Sequence, residues 1–205
     1  MKRALLWVDI QRDFLPGGPL GVPHGNEVVP VANRLAREGN YEMVIATQDW
    51  HPPNHLSFAS QHPGKKPFEV IELDGMLQTL WPDHCIQGSD GAELAPGLES
   101  ALISARIYKG TDRHIDSYSA FFDNARKKQT GLEALLRERG ITHLDVVGLA
   151  TDYCVRATVL DALSLGFGVR VIVDGVRAVN LKEGDGERAL FEMKEKGAEL
   201  VSLGG

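Results

Sequence analysis

Leu144–Val173, LDVVGLATDYCVRATVLDALSLGFGVRVIV, is the stretch on which the fold turns. Leu144 to Leu149 is a short apolar run suited to a buried strand. Cys154 to Leu165 carries helical spacing and ends at Gly166, a residue that stops helices. Val169 to Val173 is a second β-branched run. Strand, helix and strand in this order predict two parallel strands joined by a helical crossover. The same rhythm extends outward. Ala4–Val8 predicts a strand closed by Asp9, Val28–Arg37 a helix stopped by Gly39, and Met43–Thr47 the next strand. Ser104–Tyr108, a helix over Gly131–Arg139, a helix over Glu187–Lys196 and a strand over Glu199–Leu203 complete it. The expected class is α/β: three layers, a mostly parallel sheet with helices on both faces.

Between Asp49 and about Pro96 the rhythm stops. Five prolines (Pro52, Pro53, Pro63, Pro67, Pro82) punctuate this region, and three of the chain's seven histidines fall between Asp49 and His62. A loop this long inside a compact domain is usually functional. No repeat, low-complexity tract or linker divides the chain, so residues 1–205 are expected to form one domain with a long loop region at 49–96.

Composition narrows the function. A net charge of −6 with no long basic run argues against nucleic acid or an anionic membrane as partner. No apolar run approaches the roughly 18 residues of a membrane span. The first apolar run meets Asp9 too soon for a signal peptide. Cys85 and Cys154 are too few for a disulfide framework, which points to a reducing cytoplasm.

In open parallel sheets the site lies beyond the carboxyl ends of the strands. Asp9, Gln48-Asp49-Trp50-His51, Lys109 and Ala150-Thr151-Asp152-Tyr153-Cys154 all fall there. Cys154 at a helix start would have its thiolate favoured by unpaired amides and the helix dipole. The amides of Ala150 and Cys154 would face a developing oxyanion. Asp9 could take the thiol proton and return it to a leaving amine, with Lys109 supporting both anions. Asp49 and His51, two apart in an extended segment, share a side. With His55 and His84 they could form an oxygen-plus-imidazole ion site suited to Zn, Fe or Mn. His62, His114 and His143 read as ordinary surface groups, and Cys85 as an inward-packing neighbour of His84.

These residues resemble a known family. Asp9-Ile10-Gln11-Arg12-Asp13-Phe14, Asp49-Trp50-His51-Pro52, Trp81-Pro82-Asp83-His84-Cys85, Tyr108-Lys109-Gly110 and Gly148-Leu149-Ala150-Thr151-Asp152-Tyr153-Cys154-Val155 are similar, in order, to motifs of the nicotinamidases. Those belong to the isochorismatase-like cysteine hydrolases. The resemblance runs from Leu5 to about Val179. It implies a six-stranded sheet and hydrolysis of nicotinamide to nicotinate and ammonia in NAD salvage, with pyrazinamide as a further substrate. It implies a catalytic triad of Asp9, Lys109 and Cys154. It also implies an oxyanion hole from the amides of Ala150 and Cys154, with a cis peptide before Ala150. Asp49, His51 and His84 match the ligands of one divalent metal ion, Zn in the first place, with Fe or Mn as alternatives. His55 stands where some members place a fourth histidine and others use water. Phe14 and Trp81 match aromatic residues flanking the pyridine ring, and Tyr118 adds to that wall. The implied partner is a small-molecule substrate, for a monomer or homo-oligomer.

Other readings make different demands. An amidohydrolase acting on N-carbamoyl compounds would need the triad but not the ion ligands. An isochorismatase would dispense with the nucleophilic cysteine. A non-haem iron oxygenase would use two histidines and one carboxylate, but fits the βα rhythm and the Cys154 turn poorly. A non-catalytic binding protein would keep the pocket and lose turnover.

Overall fold

The computed structural model describes residues 1–204. In chain order the elements are β1 (Arg3–Val8), α1 (Val28–Glu38), β2 (Met43–Asp49), β3 (Val70–Leu73), β4 (Met76–Thr79), β5 (Ala105–Lys109), α2 (Leu132–Glu138), β6 (His143–Leu149), α3 (Arg156–Ser164), β7 (Gly168–Arg177), α4 (Asp185–Glu195) and β8 (Glu199–Val201). Six strands form one sheet in the order β5-β2-β1-β6-β7-β8. Every neighbouring pair in it is parallel.

A central parallel strand is covered on both faces, so its sequence is apolar throughout. Ala4 to Val8 are all fully buried. Alternate side chains enter different cores. Ala4, Leu6 and Val8 pack with Leu132 and Leu136 of α2, Val159 of α3 and Met193 of α4. Leu5 and Trp7 pack on the other face with Val28, Val29 and Ala32 of α1 and with Trp81 and Cys85 from the long loop. Each Val, Leu or Met among these, taken fully out of water, contributes about 1.5–3 kcal/mol. The second core therefore ties the loop to the sheet. Pro30 sits in the first turn of α1, where a missing N–H leaves no helical bond unmade.

Gly148 shows why the centre of the sheet is close-packed. Its φ is +130°, and a Cβ there would lie 2.0 Å from the Val8 carbonyl oxygen. The register of β6 against β7 shifts between Val146 and Gly148.

Two features depart from the expected pattern. The long loop is not structureless, because β3 and β4 form an antiparallel ribbon within it. They are joined by Asp74 and Gly75, both at positive φ, as a tight two-residue hairpin demands. The segment after β6 is also not the plain helix start expected at Cys154. Thr151–Val155 form a wide π-helical turn, and regular α3 begins only at Arg156.

Candidate active site

Strand order reverses between β1 and β6, since β1 continues to β2 on one side and β6 to β7 on the other. Crevices open at such points, at the carboxyl ends of the strands. A cleft lies there. Phe14, Asp49, Trp81, His84, Asp116, Tyr118, Ala150, Tyr153 and Cys154 line it, together with Leu20 and Val179.

Lys109, the last residue of β5, is the hub. Its ammonium is buried and donates to an Asp49 carboxylate oxygen, to the Ser117 carbonyl at 2.8 Å and to Cys154 Sγ at 3.4 Å. It also lies 2.8 Å from Asp9 Oδ2. Burial disfavours its charge, but Asp49 and Asp9 hold its pKa well above the ordinary lysine value. Lys109 is therefore a fixed positive charge shared by two carboxylates and a thiol.

Asp9 follows β1 at a φ of +48°. Its Oδ1 accepts from the Thr47 hydroxyl at 2.6 Å. Burial pushes the Asp9 carboxyl upward, Lys109 pulls it back, and Asp49 adds to the rise. Burial likewise raises the Cys154 thiol well above its usual value, with Lys109 opposing and Asp9 and Asp49 reinforcing. A carboxylate oxygen of Asp9 and Cys154 Sγ lie within 4.8 Å of each other, beside the same ammonium.

Cys154 lies within the π-helical turn, and the peptide bond Leu149–Ala150 is cis. The Ala150 carbonyl accepts from the amides of Tyr153 and Val155 at 3.1 Å each, which sets the turn. The Ala150 N–H enters none of the backbone hydrogen bonds among the described residues.

Asp49 divides its oxygens between two tasks. Oδ1 takes the Lys109 ammonium, while Oδ2 lies 3.5 Å from His51 Nε2 and 3.7 Å from His84 Nε2. His51 Nδ1 meets the Gly110 carbonyl at 2.8 Å, and His84 Nδ1 meets the Pro82 carbonyl at 2.7 Å. A ring whose Nδ1–H donates to a carbonyl presents Nε2 as a lone pair, the arrangement typical of ion-binding histidines. His51 Nε2 is buried with no hydrogen-bond partner. Asp49, His51 and His84 thus bring three donor atoms within 4.8 Å of one another, and this donor set fits a divalent ion. Gly110 is needed for the approach, because a Cβ there would lie 2.4 Å from His51 Cε1 at a φ of +63°.

His55 is also buried. It groups with His51 and Asp116 in a second cluster, apart from Asp49 and His84. Phe14, Trp81 and Tyr118 all line the cleft, and the Trp81 indole donates to the Tyr118 hydroxyl at 3.2 Å. Cys85 is fully buried in the second core, outside the cleft.

Several positions escaped the reading from sequence. Gln11 brackets Asp49: its side-chain amide donates to the Asp49 carbonyl and its oxygen accepts from the Asp49 N–H, both at 2.8 Å. The Asp13 carboxylate accepts from the Cys85 amide at 2.7 Å and so ties down the segment holding His84. Asp116 and Tyr153 line the cleft. Gln11 and Asp13 lie in the Asp9–Phe14 motif, and that membership is the one cue the sequence offered.

The model of the isochorismatase domain matches residues 3–204. The nicotinamidase of Escherichia coli (strain K12) is 54% identical over 98% of this chain and 95% of its own. The solved structure of an Acinetobacter baumanii nicotinamidase/pyrazinamidase superposes with a TM-score of 0.93 at 47% identity, covering 98% of this chain and 96% of that one. The pyrazinamidase of Pyrococcus horikoshii, solved in complex with zinc, gives a TM-score of 0.81 at 38% identity, over 99% of this chain and 100% of that one.

Proposed function

Because the chain belongs to the isochorismatase family, and its relatives at high identity are nicotinamidases, we propose that this cleft hydrolyses nicotinamide to nicotinate and ammonia through a thioester on Cys154. Pyrazinamide, an amide of similar shape, is a second substrate by the same route. The observation that carries the reading is the contact of one buried ammonium with Asp9, Asp49 and Cys154 together.

The chemistry follows from the residues. The substrate ring lies between Phe14 and Trp81, with Tyr118 at the wall, and the carboxamide faces Cys154. Sγ attacks the carboxamide carbon as Asp9 Oδ2 takes the thiol proton. The oxygen of the tetrahedral adduct gains negative charge, which the amides of Ala150 and Cys154 stabilise; one such donor is worth about 3–4 kcal/mol elsewhere. Asp9 returns the proton to nitrogen, the C–N bond breaks and ammonia leaves. Asp9 then takes a proton from water, whose oxygen attacks the thioester carbon. Collapse breaks the C–S bond, Asp9 gives its proton back to Sγ, and nicotinic acid leaves, losing its remaining proton to solvent to become nicotinate. Lys109 keeps Asp9 ionised for each acceptance and supports charge on sulfur. Asp49, His51 and His84, with His55 behind them, would hold one divalent ion, zinc in the first place, which when bound supplies a Lewis-acidic point for the ring nitrogen.

An N-carbamoyl amidohydrolase would not use the three-donor cluster, so that cluster favours the pyridine carboxamide. Ammonia release from a panel of small amides tests the choice. Nicotinamide and pyrazinamide should lead the panel, and preference for an N-carbamoyl compound would overturn it.

A further inference from the structure

Five aspartates are buried among the described residues: Asp9, Asp49, Asp116, Asp123 and Asp145. Burying a carboxylate is costly unless a cation or several donors compensate it. Asp145 is met by Arg170 and Arg3. Asp9 and Asp49 share Lys109. Asp123 lies in a turn and accepts the amides of Lys127 and Lys128 at 2.9 and 2.8 Å. Asp116 differs. It accepts the Ser117 amide at 2.8 Å and a long 3.3 Å contact from Gln78. It enters no ion pair among the described residues.

Its surroundings supply the missing partner. Asp116 lines the same cleft as Asp49 and His84. A carboxylate oxygen of Asp116 and one ring nitrogen each of His51 and His55 lie within 4.8 Å of one another. Both His51 Nε2 and His55 Nε2 are buried with no hydrogen-bond partner. His55 Nδ1 is occupied by the Ser57 hydroxyl at 2.7 Å, so its Nε2 is the free end. The rings of His51 and His55 are 4.3 Å apart. His51 is therefore common to two triads, one with Asp49 and His84, the other with His55 and Asp116. In their ionised forms Asp9 and Asp49 share the one ammonium of Lys109, Asp116 has none, and a divalent cation would balance the charge left over.

We propose that Asp116, grouped with His51 and His55, is a second limb of the ion site and holds the cation by accepting hydrogen bonds from its water ligands. The inference rests on the ion site of the proposed function and adds a carboxylate to it. Asp116 is a positioning residue, acting on the ion and not on the substrate amide. Groups of this kind change metal affinity about 10–100-fold when removed.

The test is a Zn²⁺ titration of the chelator-stripped full chain against a chromophoric chelator, with melting of the stripped protein in parallel. Asp116→Asn keeps the shape and removes the charge, so Zn²⁺ affinity should fall about 10–100-fold. The stripped variant should melt no lower than stripped wild type, because an uncompensated buried charge is gone. Asp116→Glu should keep more affinity than Asp116→Asn. His51→Ala, which removes the shared ligand, should lose Zn²⁺ more severely than either. Wild-type affinity in Asp116→Asn, with His51→Ala impaired, would overturn this inference alone. Zn²⁺ binding unaffected in His51→Ala, or absent from wild type, would overturn the ion site itself and this limb with it. A stripped Asp116→Asn protein that melts lower yet binds Zn²⁺ normally would show a packing residue and overturn the inference.

Discussion

At the scale of single residues, function depends on telling two thiols apart. Both Cys154 and Cys85 are buried and both thiols are pushed up by that burial. Only Cys154 lines the cleft and touches Lys109. Cys154→Ala should abolish turnover and leave the fold intact, whereas Cys85→Ala should keep most activity. A steady-state rate within tenfold of wild type for Cys154→Ala would contradict the assignment. Lys109 yields a second expectation. Removing it takes away a cation next to sulfur, so the thiolate becomes costlier and the alkylation profile of Cys154 should move about 1–3 pH units higher. The same change leaves Asp9 and Asp49 buried without their partner, which should cost about 3–5 kcal/mol in stability. An unmoved alkylation profile would make Lys109 structural only. In the proposed mechanism Asp9 must be anionic to accept the thiol proton, so it sets the acid limb of kcat/KM. Its pKa is raised by burial from 3.8, so activity should fall at a higher pH than a free carboxylate would dictate.

At the scale of elements, the short apolar runs and helical spacings were legible because the sheet is buried on both faces. Ala4–Val8 and Met43–Thr47 announce themselves as strands for that reason. The β3–β4 ribbon was legible in principle, since Asp74-Gly75 between Val70–Leu73 and Met76–Thr79 is a strong hairpin signal. Surrounding prolines and exposed positions masked it: Leu77 is 82% exposed, so the ribbon has no clean apolar face. The π-helical turn at Thr151–Val155 has no periodic signature, and a helix beginning at Cys154 was the natural expectation. Gly148 had no such ambiguity of role once β1 and β6 were adjacent. Gly148→Ala should destabilise the protein by at least about 2 kcal/mol, through the contact with Val8 and the positive φ. Chemical denaturation checks this, and a change below about 0.5 kcal/mol, the range of ordinary surface substitutions, would show that the β1–β6 spacing is not tight.

At the scale of the whole molecule, strand order brings distant residues to one edge. Asp9, Asp49, Lys109 and Cys154 end four different strands or the turns after them, and their convergence follows from the β5-β2-β1-β6 order. The motifs carrying the family resemblance made these positions readable. Asp116 was not readable, because an aspartate in a loop normally signals a solvated surface and only the folded chain buries it. No helix among the described residues is long and apolar enough to cross a membrane. In the proposed function the ion and the thiol have separable roles. Benzamide, which lacks the ring nitrogen, should be a poor substrate. His51→Ala or chelation should cut nicotinamide turnover severely while Cys154 still reacts with iodoacetamide. Equal rates for benzamide and nicotinamide would leave the triad standing and remove the ion's role in placing the ring. The central claim is the covalent step, and mass spectrometry of enzyme acid-quenched during nicotinamide turnover tests it most directly. The account predicts a nicotinoyl group on the peptide carrying Cys154, absent from the Cys154→Ala variant. Turnover that survives complete alkylation of Cys154, with no acylated peptide at any time, would contradict it.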